Sequence, residues 1–295
     1  MANGLRALGL NPGDRVALAM PMVPEILPIL YGSFKAGLTA VPIFAGFGTD
    51  AIAARLADSG ARVLFTAVNL ERRGKTIPLL GKMPGTVERT IVLRRGGGDA
   101  TGHLTWEDFL YGQSDTAPTA SLDADACALL LYTSGTAGKP KGTVHTHAGV
   151  LAQTGKEIWL GFDHRAADRF FWLSAIGWMM GPWPIVGNHL FGGAVFLYDG
   201  APDYPHPHRL WDIVERHGIT TLGVSPTAVR LLAKSAGALP PMESLRLLGS
   251  QANPGISNRG SGFSRAWGGA AAPSSTSPGA RRLSAASCSR CPFSR

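Results

Sequence analysis

"LLLYTSGTAGKPKG", Leu129 to Gly142, is the stretch that decides how the chain folds. An apolar run breaks into small hydroxyl residues and glycines, then meets two lysines around a proline. "CALLLYT" (127–133) reads as a buried strand. A strand ending there presents Thr133 and Ser134 at the carboxyl edge of a sheet, where α/β proteins bind ligands. Gly135, Gly138 and Gly142 permit tight, positive-φ backbone and leave amide N–H groups accessible. Ser134 and Thr136 add hydroxyl donors, and Lys139 and Lys141 add positive charge. Amides, hydroxyls and ammonium groups on one short loop are what a polyphosphate needs. Any loop can hold Gly, Ser, Thr and Lys, so the order of the residues carries the reading. It is not a Walker loop, because Gly138-Lys139 is followed by Pro140 rather than Ser or Thr.

Outward from this loop the chain alternates between two patterns. Apolar strand candidates are 15–20, 61–67, 89–95, 169–175, 193–199, 219–225 and 245–250. Helical patterns occupy 24–37, 49–60, 146–159, 207–218 and 225–237. Thr49 or Asp50, Thr146 and Ser225 stand where N-caps belong, and Gly37, Gly60 and Gly218 where helices should stop. Apolar strands alternating with amphipathic helices predict an α/β fold, its largely parallel sheets flanked by helices.

The 295 residues, 45% hydrophobic and 16% charged, suffice for a sizeable core. No apolar run is long enough for a membrane span, and the first residues lack the pattern of a secretory leader, so a soluble cytoplasmic protein is expected. Three cysteines fit a reducing compartment. The net charge of +8 is concentrated in one place: residues 251–295 hold six arginines and no acid, which leaves 22 basic residues against 20 acidic ones in the body. The body therefore gives no electrostatic reason to expect nucleic acid. No His, Cys or carboxylate spacing predicts a metal site, and Cys288-x-x-Cys291 lies in a stretch without periodicity. Residues 251–295 are rich in Gly, Ser, Ala, Pro and Arg and are expected to be disordered, against a folded region over 1–250.

"YTSGTAGKPKG" closely resembles the phosphate-binding signature of the AMP-forming acyl-CoA synthetases, the adenylate-forming ligases. "GDRVALAMPMVPE", "VPIFAGFGTDAIAARLADSGARVLFTA", "GWMMGPW", "LYDGAPDYP" and "SLRLLGS" follow in the order of the acetyl-, propionyl- and acetoacetyl-CoA synthetase branch. The resemblance implies two half-reactions. A carboxylate attacks the α-phosphate of Mg-ATP, giving an acyl-adenylate and pyrophosphate, and the thiol of coenzyme A then displaces AMP. It also implies that Thr133, Ser134, Gly135, Thr136, Gly138, Lys139 and Lys141 grip ATP phosphates. Ala137 stands where the family usually has a hydroxyl. Gly46 and Arg72, with Lys75 as a weaker candidate, match positions that contact the nucleotide of coenzyme A. Trp178, Met179 and Met180 match a segment lining the acyl pocket. His145 and His147 read as helix-start residues, and His206 and His208 as a surface loop.

In the family "LRLLGS" should run into Thr-Gly-Glu-Pro-Trp-Asn, which contacts adenine; here "QANPGI" follows. Gln-Ala-Asn-Pro-Gly-Ile has the permitted coding CAG GCG AAC CCT GGA ATC. Read from the third base, this becomes GGC GAA CCC TGG AAT, or Gly-Glu-Pro-Trp-Asn. A frameshift at or just after Ser250 is therefore expected, with a genuine disordered C-terminal extension as the alternative. The motifs for adenine, ribose, Mg²⁺, the hinge and the adenylation lysine are missing, and no catalytic residue is assigned. The resemblance then implies a fragment of an acid–CoA ligase, inactive alone and prone to aggregate. A non-catalytic nucleotide- or CoA-binding module, and one half of a synthetase whose C-terminal half is separately encoded, are the alternatives.

Overall fold

The computed structural model describes residues 1–133, 140–233 and 242–250. The chain forms two compact units. Among the described residues, the first comprises 1–133, 140–154, 175–186 and 197–199, and the second 155–174, 187–196, 200–233 and 242–250.

In the first stretch of chain come α1 (Ala2–Ala7), β1 (Arg15–Ala19), α2 (Ile26–Ala36), β2 (Thr39–Pro42), α3 (Thr49–Ser59) and β3 (Val63–Ala67). A small hairpin of β4 (Asn69–Arg72) and β5 (Lys75–Pro78) follows. Then come β6 (Arg89–Leu93), β7 (Leu104–Thr105), α4 (Trp106–Leu110), β8 (Cys127–Thr133), β9 (Lys141–Thr146) and α5 (His147–Lys156). Seven strands make one sheet in the order β7-β6-β3-β1-β2-β8-β9. Every neighbouring pair is parallel except β8 and β9, which are antiparallel.

The pairing follows from the apolar pattern. Val16 to Ala19 of β1 and all of β2 and β3 are buried, as strands covered on both faces must be. Helix α3 presents Ile52, Arg55, Leu56 and Ser59 to the interior, three and four residues apart on one stripe. Ile52 and Leu56 pack with Ala17, Val41, Ile43, Leu64 and Tyr132. Each such aliphatic burial contributes about 2 kcal/mol. Gly37 and Gly60 end α2 and α3 in the left-handed region, at φ +81° and +58°, as expected.

Next come β10 (Arg169–Trp172), α6 (Pro182–His189), β11 (Ala194–Phe196), α7 (Arg209–Arg216), β12 (Thr221–Val224), α8 (Pro226–Ala233) and β13 (Leu247–Ser250). The second unit is built on an all-parallel sheet in the order β11-β10-β12-β13. Phe170, Phe171 and Trp172 are buried. A Cβ on Gly223 would fall on the Trp172 indole, so β12 requires glycine there. The Asp168 carboxylate accepts from Thr220 Oγ1 at 2.7 Å, Arg165 N at 2.8 Å and Arg246 Nη2 at 2.6 Å. Burial raises its pKa, but these hydrogen bonds outweigh burial and hold the carboxyl below its ordinary value.

All eight expected strands form, and so do the five helices, with shifted ends. Thr146 Oγ1 accepts from Gly149 N and Ser225 Oγ from Ala228 N, so both cap helices as expected. The cap of α3 differs: Gly48 precedes Thr49, and no side chain caps the helix. Helix α5 stops at Lys156 and widens into a π turn over Glu157–Gly161, short of the expected Trp159. The strands the pattern missed are the short ones, β2, β4, β5 and β7, and β9, whose polar alternation carries no continuous apolar run.

Candidate functional site

The phosphate-loop candidate sits on a hairpin. Strand β8 pairs antiparallel with β9 in a fixed register: Leu130 opposite Val144, Leu131 opposite Thr143, Tyr132 opposite Gly142 and Thr133 opposite Lys141. Thr133 is exposed at the carboxyl end of β8, and its hydroxyl donates to the Lys141 carbonyl at 3.5 Å. Lys141 is exposed on the opposite shoulder. Ser134, Gly135, Thr136, Gly138 and Lys139 lie outside the described residues. The role expected of Gly142 is corrected: it lies in strand β9 and is not among the positive-φ glycines. A Cβ there would approach Leu130 Cδ1 to 3.0 Å and the Tyr132 ring to 3.4 Å, so glycine serves close approach.

Beneath this hairpin's end, the Tyr132 hydroxyl donates to Asp58 Oδ2 at 2.6 Å. Burial, and then the Asp58 carboxylate, push the Tyr132 phenol above its ordinary pKa, so it stays a donor.

The coenzyme A candidates occupy a different hairpin. Strands β4 and β5 pair with Arg72 directly opposite Lys75. Between them Arg73 and Gly74 take φ +53° and +70°. A two-residue turn with both residues left-handed matches the twist of a hairpin. It sets two cations side by side on exposed strand ends, an arrangement that costs stability unless an anion lies between them. Lys75, the weaker candidate from sequence, lies directly opposite Arg72.

Gly46 is exposed in the turn after β2, and a Cβ there would meet the Phe44 ring at 2.5 Å. A Cβ on Gly177 would strike the backbone of Ile43 and Phe44, so glycine at 177 lets its segment close onto the chain just after β2. Trp178 then lies against Phe44 and Phe47, with ring centroids 5.9 and 6.1 Å away. Trp178 and Met179 remain exposed, and Met180 is half-buried. The expected acyl segment is therefore an aromatic ledge in the first unit.

A groove that the sequence did not announce runs along Met22, Pro24, Glu25, Arg95, Tyr198 and Asp199. Arg95 Nη2 pairs with Asp199 Oδ2 at 3.1 Å. Burial raises the Asp199 carboxyl's pKa, against the pull of Arg95 and Arg72.

His145 lies on β9 rather than at a helix start, while His147 opens α5 against Phe34, with ring centroids 5.5 Å apart. Burial holds both histidines below their ordinary pKa. His206 Nε2 meets Asp212 Oδ2 at 3.2 Å on the surface. Among the described residues no cluster of His, Cys, Asp or Glu could hold a metal, and no helix is long and apolar enough to cross a membrane.

Thr133 and Lys141 bracket a loop position at a sheet edge, and Arg72 with Lys75 form a second cationic point.

Residues 1–284 match the family described as "AMP-binding enzyme". The acetyl-coenzyme A synthetase of Streptomyces coelicolor is 39% identical over 268 residues, covering 86% of this chain and 41% of that protein. That of Rhodopirellula baltica is 39% identical over 264 residues, covering 84% of this chain and 39% of its own. The structure of acetoacetyl-CoA synthetase from Streptomyces lividans superposes with a TM-score of 0.78 at 30% identity, over 91% of this chain and 43% of that one. The chain thus spans about two fifths of the length of these relatives. With this match over most of the chain and a largely parallel α/β sheet, the chain belongs to the AMP-binding enzyme family and is similar to acetyl- and acetoacetyl-CoA synthetases.

Proposed function

We propose that this chain carries the phosphate-gripping part of an AMP-forming acid–CoA ligase, which converts a short-chain carboxylate, ATP and CoA into acyl-CoA, AMP and pyrophosphate. The observation that carries the reading is the β8–β9 hairpin, which sets Thr133 opposite Lys141 on either side of a hydroxyl-, glycine- and lysine-rich loop. Loop amides, the Thr133, Ser134 and Thr136 hydroxyls, and Lys139 and Lys141 hold the phosphates of ATP. They hold the departing pyrophosphate as negative charge gathers on it, which is where such a site lowers a barrier. Arg72 and Lys75 take a phosphate of coenzyme A's nucleotide, and Gly46 is a further contact to that nucleotide. Trp178, Met179 and Met180 offer the carboxylate an apolar surface.

Mg²⁺, when bound with ATP, would neutralise phosphate charge. Residues 251–295 follow a shifted frame and contribute nothing to the site, although the family match extends to residue 284. That reading rests on the shifted Gly-Glu-Pro-Trp-Asn and on the acid-free composition. With residues 251–295 out of frame, the given residues bind ATP without completing the ligation.

ATP binding by the full chain, alongside carboxylate-dependent exchange of labelled pyrophosphate into ATP with acetate, propionate and acetoacetate, tests this. Binding without exchange is the expected result. Exchange would show a complete catalyst, and absence of ATP binding would remove the loop's assigned role.

A further inference from the structure

Arg55 stands on the core stripe of α3, where a charged residue is out of place. It is 8% exposed, yet no carboxylate pairs with it among the described residues. Its Nη1 donates to the Ala51 carbonyl one turn back at 2.7 Å, and its Nε has no partner there. Burying a guanidinium without an ion pair is costly, so something must hold it.

What holds it is aromatic. The guanidinium carbon lies 4.2 Å from the centroid of the Phe47 ring and 5.8 Å from that of Tyr132. Both distances are within the reach of a cation–π contact. These two rings belong to different parts of the candidate site. Phe47 packs edge-on against Phe44 at 5.3 Å, and both rings hold Trp178. Tyr132 is the residue before Thr133 and is pinned at its hydroxyl by Asp58, three residues beyond Arg55 and so on the adjoining face of α3.

We infer that Arg55 is a positioning residue: from α3 it clasps the aromatic ledge of Phe44, Phe47 and Trp178 on one side and the end of strand β8, which launches the phosphate loop, on the other. The residue touches no substrate; it fixes two surfaces relative to one helix, so that the phosphate shoulder at Thr133 and the ledge at Trp178 keep their places together. An aliphatic residue would fill the volume at less cost in desolvation. The charge has a use only through the faces of the two rings.

The inference rests on the proposed role of the loop, and the test separates the two. Arg55→Met keeps length and apolar volume while removing the charge. Hydrogen exchange followed by mass spectrometry on the full chain should show faster exchange in two separate segments, around Phe44–Phe47 and around Tyr132–Thr133, with β1 and β3 unchanged. Affinity for inorganic pyrophosphate should fall about tenfold, as expected for a small displacement of binding groups, and Arg55→Lys should restore part of it. If Arg55→Met does not fold, Phe47→Leu, which keeps the arginine and removes one ring, must speed exchange at Tyr132–Thr133. Exchange that changes in only one segment, or pyrophosphate affinity unchanged despite faster exchange, overturns the clasp. If the wild-type chain does not bind pyrophosphate, the loop reading fails, and Arg55 loses its assigned purpose with it. That failure is recognised by its presence before any substitution is made.

Discussion

Two hairpins of the first unit carry its candidate phosphate contacts, and they are built in opposite ways. Strands β4 and β5 turn in two residues, both left-handed, and the turn itself places Arg72 beside Lys75. Strands β8 and β9 end at Thr133 and Lys141 and are joined by the seven residues 134–140. In the short hairpin the side chains supply the charge and the backbone only aligns it. In the long one the sequence offers amides, hydroxyls and lysines together, and the strands only hold the shoulders. The first arrangement suits a compact terminal phosphate met at a surface, and the second a polyphosphate wrapped from several sides.

The comparison breaks most readily at Lys141. Lys141→Met should weaken ATP and pyrophosphate binding about 10- to 100-fold, the size of one charge-assisted hydrogen bond, while leaving the affinity for adenosine 3′,5′-bisphosphate alone. Titration calorimetry on both probes checks it.

Next in size is the support under the long hairpin. Tyr132→Phe removes the hydrogen bond to Asp58 and should cost about 1–2 kcal/mol in urea unfolding. It also carries a pH signature. Burial pushes the Tyr31 phenol up to about 12, and Tyr132 is likewise raised. Groups whose pKa is raised on folding lend stability that is whole below their unfolded value and lost above it. The urea midpoint should therefore hold steady up to about pH 10, the ordinary tyrosine pKa, and fall beyond it. Tyr132→Phe should remove part of that fall.

Smaller effects belong to the short hairpin. Gly74→Ala forces a side chain into the left-handed region and should cost about 1 kcal/mol. Lys75→Gln should do the reverse, stabilising the hairpin by a few tenths of a kcal/mol as a like-charge pair disappears, while weakening adenosine 3′,5′-bisphosphate binding in a salt-sensitive way. Thermal melts at two ionic strengths resolve both.

How far the sequence could be read differs between the hairpins for a physical reason. The long loop announces itself, because an apolar run that stops at Thr133 and is followed by glycines and lysines has few other uses. Its partner strand β9 was hidden, since Lys141 to Thr146 carry no apolar run and owe their strand to pairing with β8. The short hairpin was invisible as structure, since four-residue strands without apolar alternation carry almost no periodic signal. Only the family resemblance drew attention to Arg72. The parallel sheet was plain from its Val-, Leu- and Ala-rich strands. Arg55 could not have been found this way. On the α3 stripe it looks like an error of pattern, and its meaning comes from Phe47 and Tyr132, which are far from it in sequence or on another element.

The division of labour between the hairpins is tested most directly by a crossed titration of the full chain. Pyrophosphate and adenosine 3′,5′-bisphosphate are each titrated into the wild type, Lys141→Met and Arg72→Ala. The account predicts that Lys141→Met loses pyrophosphate and keeps the bisphosphate, and that Arg72→Ala does the opposite. Loss of both probes to the same substitution, or of neither to either, would contradict it.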